Sequence, residues 1–174
     1  MIIKENVSYS VGNVISFRGK TSPAETQKML AGMEEYIDEN DAKKYGPMIT
    51  VAYSIEEDVT ASDVGIYIPL DKEIPSSRDF TFLSVFKITD CVMVKYKGYP
   101  HLVLYAGIEL LEGSTELGYK LKLPLYNVYI NEPLDPDDMD KFEINIYAEK
   151  ESDCCQGGGL CCQGGGTPPP LPIF

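Results

Sequence analysis

An internal repeat is the feature of this sequence that most constrains its fold. Four segments recur in the same order, and the offset between the copies stays between 77 and 79 residues. The matched pairs are residues 14–19 with 93–98, Pro23 with Pro100, 47–53 with 124–130, and 64–68 with 142–146. Because repetition at a nearly fixed period indicates a duplicated structural unit, we predict repeat one at about residues 1–70 and repeat two at about residues 80–150.

Each predicted unit combines strands with one helix. Ser22, Pro23 and Glu25 provide the N-cap, the first helical position and the third position of a capping box. A second helix is predicted from Pro100 and should end at Gly113. Alternating or β-branched runs predict strands over residues 8–18, 48–56, 63–69, 80–86, 88–97, 123–130 and 142–149. The predicted fold class is α+β: tandem duplicated β-β-α-β-β units, a mostly antiparallel sheet with one helix per unit, and a groove between the units.

Alternation along the strands separates an apolar face from a polar, aromatic face. The apolar set, expected beneath the helices, is Ile49, Val51, Tyr53, Ile55, Tyr126, Val128 and Ile130, with residues 64, 66, 68, 142, 144 and 146. The opposite face provides five candidate ligand-binding residues, expected to converge on one cavity: Tyr67, Asn127, Tyr129, Glu143 and Tyr147. These side chains suit a flat aromatic or cationic organic ligand. Alternatively, they are ordinary solvent-facing strand residues.

Charge and hydropathy argue against two classes of partner. Lys and Arg total 15 against 27 Asp and Glu, which gives a formal net charge of −12. Because binding to nucleic-acid phosphates requires a cationic surface, no nucleic-acid partner is expected. The longest nearly apolar stretch, residues 102–108, is far shorter than the ~18 residues of a membrane span, and the N-terminus lacks a signal-peptide core. We therefore expect a cytoplasmic protein without a membrane partner.

The composition changes near Glu151. Residues 151–174 contain two near-copies of a Cys-Cys-Gln-Gly-Gly-Gly motif and end in a Pro-rich run. Such a Cys/Gly/Pro-rich low-complexity tail does not build a core, although its P-x-x-P pattern is also typical of polyproline II ligands. The cysteine pairs do not match zinc-ligand spacings, so no metal and no cofactor are predicted. Only Cys91 lies outside the tail, which argues against a disulfide framework and fits a reducing compartment.

The inventory of catalytic side chains is small. His101 is the only histidine, and Cys91 lies in a predicted strand with no histidine close to it in the sequence. Core packing is therefore favoured over a nucleophilic role for Cys91, and we assign no catalytic residue. A hydrolase stays open as an alternative, in which Glu143 orients water and a tyrosine hydroxyl acts as an acid.

Two acidic segments support a third hypothesis. Residues 131–140 contain five acids, and residues 56–58 are Glu-Glu-Asp. Such segments are typical of solvated loops, and the longer one lacks the full ligand pattern of a Ca²⁺ loop. An acidic surface also suits a basic protein partner, so a protein-interaction or accessory role stays open, as does a homodimer.

Two segments around the second helix carry a resemblance to a known family. Lys97-Gly98-Tyr99-Pro100 leads into that helix, and Pro-Leu-Tyr-Asn-Val-Tyr follows it at residues 124–129. Together with the tandem order of elements over about residues 1–150, they resemble the GyrI-like (gyrase-inhibitory-protein-like) effector-binding domains of bacteria. The resemblance implies a small-molecule pocket between the units, as in multidrug-responsive regulators. For some stand-alone relatives it implies hydrolysis of reactive cyclic compounds.

The departures from the family modify this expectation. Relatives that bind cationic drugs commonly have a buried Glu where this chain has Asn127, and a neutral amide does not neutralise a cation. No helix-turn-helix segment precedes Met1, so we expect a stand-alone module. The chain is also similar to small Gram-positive proteins that accompany polymorphic toxin loci. The sequence thus predicts a small-molecule-binding module, with a protein-interaction role as a toxin-locus partner and a hydrolase as alternatives.

Overall fold

The computed structural model describes residues 2–54 and 61–151. The elements are β1 (Ile3–Thr21), α1 (Pro23–Glu39), β2 (Ile49–Ala52), β3 (Ser62–Pro69), β4 (Thr81–Lys97), a 3₁₀ helix (Pro100–Leu102), α2 (Val103–Glu116), β5 (Leu121–Asn131), a second 3₁₀ helix (Pro136–Lys141) and β6 (Glu143–Lys150). Ile55, the acidic segment 56–58 and the tail from residue 152 lie outside the described residues, and the expectations for them stay predictions. Within the described part, no helix is long and apolar enough to cross a membrane.

The six strands form one antiparallel sheet. They close into a barrel in the order β1-β3-β2-β5-β6-β4. β1 pairs with β3 over its C-terminal half and with β4 over most of its length. The short strand β2 joins the two halves of the chain, because it pairs with β3 on one side and with β5 on the other. The expectation of a mixed, mostly antiparallel α+β fold is confirmed.

The order of elements corrects the predicted β-β-α-β-β unit. The predicted strands 80–86 and 88–97 are one continuous strand, so each half contributes a strand, a helix and two further strands. No turn residue separates Phe86 from Ile88, and β4 remains paired with β1 through this region. Asp90 has a positive φ of 53° where the register shifts, so a bulge bends β4 without ending it. A duplicated origin of the two halves stays a prediction.

Helix α1 begins at the predicted capping box. The Ser22 side chain accepts a hydrogen bond from the Glu25 amide at 3.3 Å, and the Glu25 carboxylate accepts one from the Ser22 amide at 2.7 Å. These bonds satisfy amide groups that have no partner within the helix. The bond from the Ser22 amide also holds the pKa of the Glu25 carboxyl below its usual value. Further along, Met33 and Ile37 are buried against the sheet.

Helix α2 is longer than predicted. It passes through Gly113 and ends at Glu116. A Cβ at position 113 would lie 3.0 Å from Ile3 Cδ1, so this glycine allows a close approach between α2 and β1 and does not end the helix. The left-handed residue that turns the chain out of α2 is Gly118, with φ of 85°.

Buried side chains form three clusters. One lies beneath α1, one beneath α2, and the third lies on the inner face of the barrel and contains no helix residue. Five of the six helix-facing residues predicted around β3 and β6 belong to the clusters beneath the helices: Ile66, Ile68, Phe142, Ile144 and Ile146. The sixth, Val64, is partly exposed and belongs to neither cluster. For β2 and β5 the predicted side is wrong, since five residues belong to the inner face: Ile49, Val51, Tyr53, Tyr126 and Val128. Register explains the reversal, because Ile49 lies opposite Tyr67 and shares its face.

Replacing Ser22 with alanine should lower the free energy of unfolding by about 1 kcal/mol, because the capping box is lost. Urea denaturation measures the change. Ser84→Ala is the matched control, since Ser84 is exposed on β4 and should change stability by less than ~0.5 kcal/mol. Equal losses in the two variants would contradict a special role of Ser22 in starting α1.

Candidate functional site

The inner face of the barrel carries a group of aromatic rings. We call this group the inner aromatic face; its members are Tyr9, Tyr53, Tyr67, Phe86, Tyr126 and Tyr147. Ring centroids are 4.9 Å apart for Tyr67 and Phe86, and 6.0 Å apart for Phe86 and Tyr126, within the range of favourable aromatic pairs. Phe86 and Tyr147 are buried, whereas the other four tyrosines are partly exposed. The face therefore presents rings with polar tips to solvent.

Gly65 makes room for two of these rings. A Cβ on Gly65 would lie 2.7 Å from Tyr67 Cε2 and 3.3 Å from Tyr53 Cε2. A glycine in a strand is typical of such close approaches. The hydroxyl oxygens of Tyr53 and Tyr67 lie 3.0 Å apart and share a hydrogen bond. The two tyrosines thus form one wall whose edge is polar.

Arg18 covers this wall. Its guanidinium carbon lies 3.6 Å from the centroid of the Tyr53 ring, which is cation–π geometry. Arg18 pairs with Gly65 in the sheet register, and its Nη2 donates to Asp63 Oδ2 at 3.0 Å. The bond to Asp63 raises the pKa of the Arg18 guanidinium further. A cation of this chain therefore already occupies a surface of Tyr53 that a ligand cation would use.

Carboxylates on the inner face are paired. The described strands carry three of them at inner-face positions, each in an ion pair: Asp63 with Arg18, Glu143 with Lys95, and Glu149 with Lys122. Each of these carboxylates therefore has an oxygen within 3.0 Å of a lysine or arginine nitrogen.

Burial changes the acidity of the tyrosines. Desolvation raises the pKa of Tyr126 to about 12 and holds the pKa of Tyr67 still further above its usual value. It also raises the pKa of Tyr9 and of Tyr147. At neutral pH these hydroxyls keep their protons, so each can both donate and accept a hydrogen bond.

The structure brings together only part of the predicted site. Tyr67 and Tyr147 lie on the inner aromatic face. Glu143 is at an inner-face position of β6 but is engaged by Lys95. Asn127 and Tyr129 lie on the opposite, outer face of the sheet, because the predicted side of β5 was reversed. The expectation that all five residues line one cavity is therefore wrong, and their role in binding stays a prediction.

Several residues of the inner aromatic face were not predicted. Tyr53 and Tyr126 alternate with apolar residues and were therefore assigned to the helix-facing side. Tyr9 belongs to the N-terminal part of β1 and carried no motif. Arg18 had a sequence signal, since it ends the strand-like run 14–19 together with Gly19, but its contact with Tyr53 depends on the fold.

Asn127 and Tyr129 meet at the seam between β2 and β5. Asn127 Nδ2 donates to Thr50 Oγ1 at 3.5 Å, and the Tyr129 hydroxyl lies 3.4 Å from the same oxygen. The Tyr129 ring also packs edge-on against Phe142 at 5.8 Å. Beside this seam are two cavities of 490 and 290 Å³, and both are lined by Tyr129 and Glu132.

The part of the chain that the structure describes contains one thiol and one imidazole, at Cys91 and His101. Cys91 is fully buried in the inner cluster, and desolvation raises the pKa of its thiol to about 11. A thiol of this kind is a poor nucleophile at neutral pH. His101 is exposed in the first 3₁₀ helix, where its ring lies 5.7 Å from that of Tyr99.

Comparisons with known proteins place the chain by fold. No protein-family model matches it, and no curated protein sequence matches it. The C-terminal domain of EcmrR is similar with a TM-score of 0.67 at 16% identity, over 87% of this chain and 99% of that domain. In the EcmrR–DNA complex in EcmrR-RPo the match covers 86% of this chain at 15% identity and a TM-score of 0.66, and this chain spans only 58% of that one.

A hydrolase encoded by lin2189 from Listeria innocua has a TM-score of 0.52 at 11% identity, over 84% of this chain and 91% of that chain. At such identities the similarity concerns the fold alone. At that level, the matches to EcmrR support the resemblance to GyrI-like domains inferred from the sequence.

Gly65→Ala should destabilise the protein by about 1–3 kcal/mol, because the added Cβ overlaps the Tyr67 ring. Thermal or urea unfolding measures the loss. Gly12→Ala is the matched control in β1, where the nearest atom would be 3.5 Å away, and it should be nearly neutral. In a Tyr67→Ala background the cost of Gly65→Ala should shrink; an unchanged cost would contradict the contact.

Stability should fall as the pH rises from about 10 to about 12. In the unfolded chain tyrosines ionise near pH 10, whereas in the folded protein the pKa of Tyr126 is about 12 and that of Tyr67 is also raised, so the unfolded state loses protons first. Urea midpoints across this pH range test the expectation. Tyr126→Phe should flatten the decline, whereas Tyr45→Phe, at an exposed position, should not.

Proposed function

We propose that this protein is a small-molecule-binding module whose inner aromatic face binds a planar aromatic compound. The observation that carries the proposal is the convergence of five tyrosines and Phe86 on one partly exposed face, away from both helices. Protein surfaces of this kind combine ring stacking with a few placed hydrogen bonds, which is how small-molecule sites achieve affinity and orientation.

Within this face, Tyr53 and Tyr67 are the proposed contacts at one end and Tyr126 at the other. Phe86 lies between Tyr67 and Tyr126, so a flat ligand ring would stack beside it or take its place. The hydroxyl pair of Tyr53 and Tyr67 supplies a donor and an acceptor for a polar substituent. Tyr147 belongs to the same cluster, and its ring centroid lies 5.8 Å from that of Tyr9.

Arg18 gives the proposed site a charge preference. Guanidinium groups have five N–H donors, and Arg18 uses Nε and Nη2 toward Asp63, so other N–H groups remain for an anionic substituent. A cationic ligand would compete with Arg18 for the Tyr53 ring. We therefore propose neutral or anionic aromatic ligands for this face, and not the cationic ligands that the sequence had left open.

The fold of the EcmrR C-terminal domain and the GyrI-like resemblance support binding as the general role. The paired carboxylates of the inner face favour binding over hydrolysis for this chain, because no described acid there is free to activate water. The protein-interaction alternative has its own supporting observation. Leu104 and Tyr105 are exposed on α2, near the acidic residues Glu109 and Glu112.

A matched set of three naphthalene compounds tests the proposal: 2-naphthol, 2-naphthoate and (2-naphthylmethyl)trimethylammonium. Each is titrated into the full chain, with amide chemical shifts and dissociation constants as the readout. The neutral and anionic compounds should bind and shift amides of β2 and β3. Tyr67→Leu should weaken the binding of both compounds by roughly three- to tenfold, since an aromatic pair contributes about 0.5–1.5 kcal/mol. Tyr105→Leu, an exposed tyrosine on α2, should leave them unchanged.

The charge preference has a separate control. Arg18→Gln should lower the affinity for 2-naphthoate relative to the trimethylammonium compound by at least fivefold. Arg78→Gln changes the net charge equally at an exposed position and should not alter that ratio. If none of the three compounds binds the inner face, the proposed function fails and the exposed surface of α2 becomes the stronger candidate. Binding without any effect of Arg18→Gln would refute only the charge preference.

A further inference from the structure

A second concave surface lies on the outside of the barrel, between the end of α1 and the start of α2. It consists of the two cavities of 490 and 290 Å³ that share Tyr129 and Glu132, and we call it the outer groove. Met48 contributes to the larger cavity, and Met139 and Phe142 to the smaller one. Two aromatic rings and two thioethers thus share its walls with proline and aliphatic side chains, and its size is sufficient for a single ring with a compact head group.

Tyr129 is fixed within the outer groove. Its hydroxyl lies 3.4 Å from Thr50 Oγ1 and its ring packs against Phe142, so the ring needs no further ordering when a ligand arrives. Burial raises the pKa of this hydroxyl, and the nearby Glu132 adds to the effect. Tyr129 therefore offers a neutral, electron-rich ring beside a carboxylate.

Glu132 lines both cavities of the outer groove, and Lys44 is a basic residue in the wall of the larger one. Among the described residues no lysine or arginine forms an ion pair with Glu132. Lys44 pairs with Glu34 at 2.6 Å, and Lys141, which lines neither cavity, pairs with Asp138 at 2.6 Å. The segment that follows Glu132 adds further acids: Asp135, Asp137 and Asp140.

We infer that the outer groove is a second binding site, for small organic ammonium ions that carry an aromatic or branched apolar body. The ammonium group sits between the Glu132 carboxylate and the Tyr129 ring, and the apolar body contacts Met139 and Phe142. Opposite charge and the quadrupole of the ring then act on the same cation. The acidic segment 131–140 acquires a role beyond a solvated connection, and the charge preference of the outer groove is opposite to that of the inner aromatic face.

Benzyltrimethylammonium, with benzyl alcohol as the neutral comparison, tests this inference on the full chain. The cation should shift the amides of Tyr129 and Ile130, bind at least fivefold more tightly than the alcohol, and bind more weakly as NaCl is added. Glu132→Gln should weaken binding of the cation at least fivefold. Glu112→Gln removes the same charge from an exposed position further along α2 and should change binding less than twofold.

Three variants separate this site from the proposed function. Tyr129→Leu should abolish binding of the cation, and Tyr129→Phe should retain most of it because the ring remains. Tyr67→Leu should have no effect here, even if it weakens naphthalene binding at the inner face. Equal dissociation constants for the parent and Glu132→Gln, or shifts that map to the inner aromatic face, would overturn the inference.

Discussion

The pairing of β2 with both halves of the sheet is the constraint on which the candidate sites depend. β2 has only four residues, Ile49–Ala52, yet it pairs with β3 and with β5. Ile49 lies opposite Tyr67 on one side and opposite Val128 on the other, so aromatic residues from both halves reach the same inner face. A slip of one residue would move every side chain of β2 to the other face and would separate Tyr53 from Tyr67.

Local chemistry in the sequence was sufficient to predict the first helix. Ser22, Pro23 and Glu25 satisfy the helix terminus by contacts within four residues, so no long-range information is needed. The end of α2 was not predictable in the same way. Gly113 has the usual chemistry of a helix stop, but its role comes from contact with Ile3, which is distant in sequence.

Strand faces were harder to predict because both faces of this sheet carry clusters of buried apolar side chains. Alternation in β2 and β5 correctly separated Tyr126 and Val128 from Tyr129, but it does not say which set lies beneath a helix. In β3 and β6 the assumption that the larger apolar set faces the helices was right; in β2 and β5 it was not. The sequence analysis therefore assigned Tyr67 and Tyr147 to the correct face but placed Tyr53 on the wrong one.

The two proposed sites differ in the charged groups that surround them, so net charge alone is a poor basis for predicting their ligands. A formal charge of −12 attracts cations at long range, but salt screens that attraction over about 8–10 Å. At contact distance, the charged side chains next to each aromatic ring determine which ligand charge is favoured. Arg18 covers Tyr53 in the inner aromatic face and is held there by Asp63, whereas Tyr129 lines the outer groove together with Glu132. A protein that is acidic throughout can thus disfavour cations at one aromatic surface and favour them at another.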